Sequence, residues 1–237
     1  MQLIQGSLLA HPSMVAMRNR LRGNPFFRGV YRFWVGKDGY EDRFGRGMLA
    51  NVGKGDVVWD IGANVGLYSE KFLDNGARSV VCFEPAPDAI QALTRRFAAE
   101  DRRERVRVVP AALSNARGVA RFQADGASPV NKLSTDDATG AIEVPVMRGD
   151  EALVDHSLPH PDVIKVDVEG FELEVIEGLD GVFGSGPVRA VFVEVHFALL
   201  HARGLDRAPA EIVRRLEQRN FRVSWLDASH LQAMRAH

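Results

Sequence analysis

The sequence predicts an α/β fold in which helices cover both faces of a mostly parallel β-sheet. Between residues 56 and 227, short apolar segments rich in β-branched residues alternate with segments of helical periodicity. Apolar runs without polar alternation are typical of parallel strands, because helices bury both of their faces. The 237 residues are enough for one domain with a sizeable core.

The first strand is predicted over residues 57–61 (VVWDI), which are too few for an independent helix and rich in β-branched residues. A helix is predicted to follow over residues 65–73. Further strands are predicted over residues 79–85, 106–113, 162–168, 188–196 and 221–227. Helices are predicted between them over residues 88–100, 171–177 and 210–218.

The middle of the chain departs from this alternation. Residues 118–123 (GVARFQ) and 142–147 (IEVPVM) are predicted to form a short pair of strands that encloses a polar insertion, residues 124–140. Gly178 is interpreted as the C-terminal stop of the helix before it, because glycine commonly ends helices.

A glycine-rich turn joins the first strand to the first helix in the segment DVVWDIGANVGLYS. Gly62 and Gly66 are compatible with an ordinary tight turn, which glycine makes wherever a positive φ is needed. The same arrangement also builds a ligand site, because a helix N-terminus offers free N–H donors. The order Asp60, Gly62, Gly66 lacks the G-x-G-x-x-G spacing of dinucleotide sites. The carboxylate of Asp60, just before the turn, suits a ligand that carries a positive charge and a carboxylate but no phosphate. S-adenosylmethionine is such a ligand.

Charged and polar residues are predicted to collect at one edge of the sheet. In parallel sheets, ligands bind outside the carboxyl ends of the strands. The residues at these ends are Asp60, Asn64, Glu84, Lys165, Asp167, Glu169, Glu194 and His196. Because alternate residues of a strand point to the same side, Lys165, Asp167 and Glu169 are expected to share a side until the chain turns at Gly170.

Glu84 ends the second strand about 20 residues after the glycine turn, where a carboxylate typically binds ribose hydroxyls. A solvated acid just beyond a strand is the alternative. The spacing favours the ligand contact.

The composition argues against several classes of partner. Lys and Arg number 30 against 31 Asp and Glu, a formal net charge of -1, so we expect neither nucleic acid nor a membrane surface as partner. The N-terminus lacks a signal-peptide pattern, and no apolar run approaches the length of a membrane span. The single cysteine, Cys82, is expected to be a buried hydrophobe in a reducing cytosol. We therefore expect a cytoplasmic protein.

Five motifs together resemble the FkbM-type S-adenosylmethionine-dependent methyltransferases. They are DIGANVG at 60–66, FEP at 83–85, AALSN at 111–115, IKVDVEGFE at 164–172 and VEVH at 193–196. The resemblance implies the class I methyltransferase fold, a Rossmann-like, doubly wound sheet, and O-methylation of a hydroxyl on a natural product, polyketide, peptide or sugar. That fold ends with a strand pair at one edge. The terminal ASHLQAMRAH has no alternating pattern, so we expect the last strand to be short or absent.

The resemblance also implies roles for single residues. The methionine portion of the cofactor is expected to lie against Asp60, Gly62, Ala63, Asn64 and Gly66. Glu84 is expected to bind the ribose, and Ala112 and its neighbours are expected to flank the adenine. Asp167 and Glu169 are expected to face the sulfonium and the acceptor.

Methyl transfer to an aliphatic hydroxyl requires a base, because such a hydroxyl does not ionise at neutral pH. Asp167, Glu169 and His196 are the candidates, since histidine titrates near neutrality and like-charge repulsion raises a carboxyl pKa. Our hypothesis is that Glu169 or His196 is the base and that Asp167 orients substrate or cofactor. A structural histidine closing a strand is the alternative for His196. Glu172 and Glu174 are interpreted as acids that favour the helix dipole.

The acidic edge could also bind Mg²⁺, which prefers oxygen ligands. Asp167, Glu169 and Glu194 are the residues that would do so. Neither their spacing nor the resemblance requires a metal, so we expect no obligatory metal.

Residues 1–52 are predicted to form a cap before a catalytic domain that spans residues 53–237. Residues 14–21 have helical spacing, and aromatic side chains concentrate just before the core at Phe26, Phe27, Tyr31, Phe33 and Trp34. Such a segment suits a lid over the site, a self-association surface that would give a homodimer, or an ordinary packed cap.

Three classes of function stay open. An O-methyltransferase acting on a small-molecule or carrier-bound acceptor is favoured, and an N- or C-methyltransferase would differ from it only in the acceptor. A nicotinamide-dependent oxidoreductase shares the architecture but not the glycine spacing. A cofactor-binding protein without catalysis would be expected to lose the acidic edge, which this sequence keeps.

Overall fold

The computed structural model describes residues 40–123, 132–134 and 142–236. Its strands are β1 (Val57–Ile61), β2 (Ser79–Phe83), β3 (Val106–Val109), β4 (Ala112–Leu113), β5 (Gly118–Gln123), β6 (Lys132–Ser134), β7 (Ile142–Met147), β8 (Val163–Val166), β9 (Ala190–Glu194), β10 (Phe221–Trp225) and β11 (His230–Arg235). Its helices are α1 (Tyr40–Leu49), α2 (Leu67–Asp74), α3 (Pro87–Arg96), α4 (Glu100–Arg103), α5 (Gly149–Asp155), α6 (Glu172–Gly178), α7 (Asp180–Ser185), α8 (Phe197–Ala202) and α9 (Ala208–Gln218).

Within these residues the strands form two sheets. A seven-stranded sheet has the order β10-β11-β9-β8-β1-β2-β3, and a four-stranded sheet has the order β4-β7-β5-β6. From β9 to β3 the neighbouring strands run parallel, whereas β11 is antiparallel to both β9 and β10. The predicted α/β fold with a mostly parallel sheet is confirmed.

Apolar layers lie on both faces of the large sheet. In β1, Trp59 points into one layer and Val58 into the other. Helix α1 joins the second layer through Phe44 and Met48, which are fully buried. Cys82 lies in the same layer, so its predicted role as a buried hydrophobe is confirmed.

The predicted third strand, residues 106–113, is divided between the two sheets. β3 pairs with β2 and ends at Val109, whereas β4 pairs with β7 in the small sheet. Pro110 lies between them and has no N–H with which to continue the ladder. The predicted pair of strands around the polar insertion is confirmed as antiparallel β5 and β7.

The prediction that the last strand is short or absent is wrong. β11 pairs along its length with both β9 and β10. Leu231 and Ala233 are fully buried. An interior strand that is covered on both faces needs no strict alternation of apolar and polar residues, so the missing pattern did not indicate a missing strand.

Helix α6 ends at Gly178, within one residue of the predicted end, but Gly178 does not adopt the left-handed conformation of a glycine cap. It is the last residue of α6, whose C-cap is Leu179, and α7 begins directly afterwards. A Cβ at Gly178 would overlap the carbonyl oxygen of Ser114. Glycine is therefore required here because α6 packs closely against the segment after β4.

The predictions for the N-terminal segment fall largely outside the described residues. The helix at 14–21, the aromatic cluster, the lid and the homodimer stay predictions, and α1 is the part of that segment that the structure describes. In the described part of the chain, no helix is both long and apolar enough to span a membrane. The cytoplasmic location stays a prediction.

The order of the strands reverses beside β1. The chain passes from β1 to β2 and β3 on one side, and later adds β8 and β9 on the other. Open α/β sheets bind ligands in the crevice outside the carboxyl ends of the strands at such a reversal. The candidate site therefore lies where β1 and β8 end.

Candidate active site

The glycine turn between β1 and α2 is fixed by contacts with two neighbouring elements. Gly62 has a φ of +78°, and a Cβ there would overlap the carbonyl oxygen of Asp167 after β8. Gly66 is the N-cap of α2 with a φ of +82°, and a Cβ there would lie 2.7 Å from Leu93 and 2.8 Å from Phe97. Positive φ and close packing both demand glycine at these positions. The turn is therefore a fixed part of the sheet edge.

Glu84 follows β2 and faces this turn. Its Oε2 accepts the backbone N–H of Asn64 at 2.8 Å, and its Oε1 accepts that of Ala86 at 2.8 Å. Glu84 is only 4% exposed, so the alternative of a solvated acid is wrong. Burial raises the pKa of Glu84, with the two backbone N–H groups acting in the opposite direction. Its contact with ribose hydroxyls stays a prediction.

Of three further residues expected at the cofactor, Ala63 and Asn64 lie in the turn and Ala112 lies in the small sheet. Ala63 is buried, and its carbonyl oxygen accepts the N–H of Gly66 at 2.9 Å. Asn64 has a φ of +50°, a left-handed conformation that asparagine tolerates better than most residues. Ala112 begins β4 in the small sheet and is buried. Their contacts with a bound cofactor stay predictions.

Asp60 lies in β1, two residues before Gly62 of the turn. Its Oδ1 is 2.9 Å from Nζ of Lys165, its Oδ2 accepts the hydroxyl of Ser69 at 2.6 Å, and all three residues are buried. Lys165 also donates to the carbonyl oxygen of Gly62 at 3.3 Å and lies 3.6 Å from Asp167. Burial disfavours the ammonium, but the charges of Asp60 and Asp167 outweigh it and raise the pKa of Lys165. The Asp60–Lys165 pair therefore supports the turn, and direct contact of Asp60 with a cofactor stays a prediction.

Asp167, Glu169 and His196 come together where β8 and β9 end. Nε2 of His196 lies 3.2 Å from Oε2 of Glu169 and 3.8 Å from Oδ1 of Asp167. Glu194, the last residue of β9, lies 3.9 Å from the same nitrogen. All four side chains are partly exposed. These residues share one edge, as the sequence predicts, and their roles in a reaction stay predictions.

A turn, and not strand alternation, brings Glu169 to this edge. β8 ends before it, and Glu169 has a φ of +52° and Gly170 a φ of +94°. A Cβ at Gly170 would lie 2.8 Å from that of Leu199 in α8, so the turn packs tightly. The prediction that strand geometry continues until Gly170 is therefore wrong.

Glu172, the first residue of α6, contacts the other nitrogen of His196. Its Oε1 lies 2.7 Å from Nδ1 of His196 and accepts the N–H of Gly170 at 2.8 Å. Burial opposes protonation of the imidazole, but the charges of Glu172 and Glu169 outweigh it and raise the pKa of His196 to about 9. His196 is therefore an imidazolium at neutral pH. The sequence gives no signal for the Glu172 contact, because its first-turn position is explained by the helix dipole alone.

Burial is the main influence on the acids of this edge. It raises the pKa of Asp167 and of Glu169, and neighbouring carboxylates add to the rise; the positive charge that acts most strongly against it is Lys165 at Asp167 and His196 at Glu169. The predicted like-charge repulsion is thus present but is not the largest cause. Glu194 behaves differently, because contacts with His230 and His196 outweigh burial and lower its pKa.

A second histidine, His230, was missed by sequence reasoning because its strand was not predicted. Its Nδ1 lies 2.8 Å from Oδ2 of Asp227, and its Nε2 lies 3.4 Å from Oε2 of Glu194. Its ring stacks on Phe44 of α1 with centroids 4.0 Å apart. His230 therefore connects α1 and the terminal hairpin to the acidic edge.

The same edge is compact enough to surround a cation. Asp167, Glu169 and His196 each offer one ligand atom, and these atoms lie within 4.8 Å of one another. The contacts are also those of an ion-pair network, in which the imidazolium offsets part of the charge of the carboxylates. They do not require a metal, and the metal-independent site stays a prediction.

Comparison with known proteins gives the family. Residues 60–223, more than half of the chain, match the family model of the methyltransferase FkbM domain. The chain belongs to the FkbM methyltransferase family. The family that the five motifs resemble is thereby confirmed.

Two curated methyltransferases are similar in sequence to this FkbM-family chain. The hexuronic acid methyltransferase AglP of Haloferax volcanii is 34% identical over 153 residues, which cover 63% of this chain and 59% of that protein. The 31-O-demethyl-FK506 methyltransferase FkbM of Streptomyces tacrolimicus is 28% identical over 201 residues, 71% of this chain and 74% of that protein. The chain thus spans less than two thirds of the length of the Haloferax protein.

A solved structure supports the fold of the FkbM-family chain. The crystal structure of methyltransferase FkbM from Methylobacillus flagellatus matches it with a TM-score of 0.53 at 15% identity, over 76% of this chain and 43% of that one. The class I methyltransferase fold that the motifs implied is confirmed.

Proposed function

We propose that this chain is an S-adenosylmethionine-dependent O-methyltransferase. Its acceptor is a hydroxyl of a small-molecule natural product, peptide or sugar, free or bound to a carrier. The observation that carries the proposal is the backbone contact between Gly62 and Asp167. It joins the turn that would hold the cofactor to the acids and the histidine that would face the acceptor.

The residues around the turn fit the cofactor. Residues 62–66 would hold the methionine portion, because glycine without Cβ lets a ligand approach the backbone. Glu84 would bind the ribose, and Ala112 would flank the adenine. When bound, the cofactor supplies an electrophilic methyl group on a sulfonium. The carboxylates of Asp167 and Glu169 suit that positive charge.

The chain would supply geometry and a base. Placing the acceptor oxygen in line with the methyl–sulfur bond is worth up to ~7 to 11 kcal/mol in favourable intramolecular cases. A side chain that takes the hydroxyl proton contributes a further ~10²- to 10⁴-fold. Oε2 of Glu169 lies 3.2 Å from Nε2 of His196, and the charge of the imidazolium favours the ionised form of Glu169, which is the form that can accept a proton.

The protonation state of His196 distinguishes the two candidate bases, Glu169 and His196. With a pKa of about 9, His196 carries its proton at neutral pH and becomes a base only in alkali. This leaves Glu169 as the favoured candidate for the proton acceptor at neutral pH, with the imidazolium beside it. Asp167, between Lys165 and His196, would orient the substrate or the cofactor.

The names of two relatives support an acceptor of this class, since one acts on a hexuronic acid and the other on 31-O-demethyl-FK506. An N- or C-methyltransferase would use the same cofactor residues and remains the second candidate within this family. A nicotinamide-dependent oxidoreductase would need the glycine spacing that residues 60–66 lack.

The test uses methyl-labelled S-adenosylmethionine, an extract of the source organism and mass spectrometry of its small-molecule and macromolecular fractions. We expect a labelled product, and an alkali-stable label would identify an ether. In parallel, S-adenosylhomocysteine and NAD are titrated by calorimetry. Binding of NAD without S-adenosylhomocysteine would overturn the proposal, and a label on nitrogen or carbon would favour the second candidate.

A further inference from the structure

Glu172 is a buried carboxylate at an unusual place. It is 0% exposed, although it is the first residue of α6 and follows a turn at the sheet edge. One oxygen, Oε1, has both contacts: Nδ1 of His196 at 2.7 Å and the backbone N–H of Gly170 at 2.8 Å. The other, Oε2, is buried without a hydrogen-bond partner among the described residues. Burying a carboxylate with one oxygen unpaired costs free energy. The burial of Glu172 therefore indicates a role beyond stability.

Helix formation does not explain it. Glu174 occupies the same first turn of α6 and serves the helix dipole equally well. It forms an ion pair with Arg203 at 2.5 Å, which is an ordinary place for a helix acid. Glu172 differs from Glu174 in its burial and in its contact with the histidine.

We propose that Glu172 is a positioning residue for His196. It fixes the orientation of the ring and keeps a proton on Nδ1, so that Nε2 is the nitrogen directed at Glu169 and the acceptor. This inference rests on the proposed methyltransferase function, because it assigns Nε2 to the reacting side of the edge.

The surroundings of the ring support this assignment. Among the residues that the structure describes, the charged groups that face His196 are Asp167 and Glu169 from the turn after β8, Glu172 from α6 and Glu194 from β9. Glu172 alone lies on the Nδ1 side, and the other three lie 3.2 to 3.9 Å from Nε2. Which nitrogen of a neutral histidine carries the proton is set by the hydrogen bond that the other nitrogen makes. A carboxylate can only accept, and the Glu172 contact of 2.7 Å is shorter than the nearest carboxylate contact on the Nε2 side, 3.2 Å from Glu169, so it favours the Nδ1–H form.

Glu172 also fixes the two segments that it joins. Its Oε1 connects Gly170, next to Glu169, with His196 beyond β9. The ring and the Glu169 carboxylate are therefore set relative to each other by one oxygen atom. A shift of either segment would change the 3.2 Å contact between Nε2 and Glu169.

The experiment is ¹H–¹⁵N correlation spectroscopy of protein labelled at histidine, which reports the protonation of each ring nitrogen and needs no acceptor. The His196→Gln variant identifies the His196 signals among the seven histidines. In the wild type we expect the ring to lose its charge near pH 9 and then to keep its proton on Nδ1. In Glu172→Gln we expect this transition to fall by about one unit or more. In Glu174→Gln, the matched control, we expect no change.

Two outcomes would overturn the positioning role. The first is a neutral His196 in the wild type with its proton on Nε2, which is decisive even if the variant does not fold. The second is an unchanged transition in Glu172→Gln.

Turnover separates this inference from the function on which it rests. With the acceptor found by labelling, Glu172→Gln is expected to lower kcat by about tenfold or more and to leave binding of S-adenosylhomocysteine unchanged. An unchanged kcat would contradict the positioning role in the reaction. Failure of the wild type to bind S-adenosylhomocysteine would reject the proposed function, while the spectra would still decide which nitrogen Glu172 controls.

Discussion

The backbone of Gly62 lies directly against the carbonyl oxygen of Asp167, with no room for a Cβ between them. Gly62 follows β1, Asp167 follows β8, and these strands are neighbours in the sheet. One backbone contact thus sets the distance between the glycine turn and the acids of the candidate site. Any side chain at Gly62 has to push the two apart.

Replacing Gly62 by alanine is expected to abolish binding of S-adenosylhomocysteine and to lower the free energy of unfolding by about 3 kcal/mol, the upper range for backbone strain. Calorimetric titration and urea unfolding measure the two effects. Gly55→Ala is the matched control, because Gly55 has a φ of +94° with nothing within 4 Å of an added Cβ. Equal behaviour of both variants would show that the contact with Asp167 does not define the site.

Replacing Lys165 by methionine is expected to destabilise the protein by about 3–5 kcal/mol, because it leaves the Asp60 carboxylate buried without its partner. Urea unfolding measures the loss, and adding Asp60→Asn should restore part of it. Arg96→Met is the control: its pair with Glu70 is partly exposed and should be worth about 0–1 kcal/mol. Similar losses in both single variants would contradict a supporting role for the buried pair.

Local sequence patterns predicted those strands in which every residue is buried. The first strand was predicted over residues 57–61, as found, because VVWDI is short, apolar and bounded by a glycine turn. The boundary at Pro110 was missed, since a chain can leave one sheet for another without a change in hydrophobicity. β11 was missed for a related reason, as an interior strand shows no alternation.

The sequence predicted those parts of the candidate site that follow from the parallel direction of neighbouring strands, whose carboxyl ends meet at one edge of the sheet. Asp167 and His196 follow neighbouring strands of a parallel sheet, so their meeting was foreseeable. The contact of Glu172 with His196 joins residues that are 24 positions apart and depends on the turn at Gly170. Such contacts depend on the packing of side chains, which local patterns do not encode.

Removal of divalent cations is expected to leave turnover unchanged, because the imidazolium of His196 already lies 3.8 Å from Asp167 and 3.2 Å from Glu169 and occupies the position between these carboxylates. The measurement is methyl transfer before and after dialysis against a chelator. Loss of turnover that returns on addition of Mg²⁺ would contradict this expectation.

His230 is expected to stabilise the protein more in weak acid than in alkali. Burial opposes its charge, but Asp227 and Glu194 outweigh it and raise its pKa from 6.5 to about 9. A raised pKa contributes stability that is fully present below pH 6.5 and is lost as the pH rises through about 9. His230→Gln should therefore lower the free energy of unfolding more in weak acid than above pH 9, where only the loss of the buried ring packed on Phe44 remains. Urea unfolding across this range tests it, with exposed His201→Gln as the control.

The pH dependence of kcat/KM distinguishes the two candidate bases. If Glu169 takes the proton, activity rises with pH through the pKa of this carboxyl group, which burial raises and the charge of His196 lowers. If His196 does, activity rises only as its imidazolium loses a proton near pH 9. We expect the first profile, and we expect Glu169→Gln to lower kcat by ~10²- to 10⁴-fold without weakening binding of S-adenosylhomocysteine. Near-normal turnover of both Glu169→Gln and His196→Ala would reject both residues as the base.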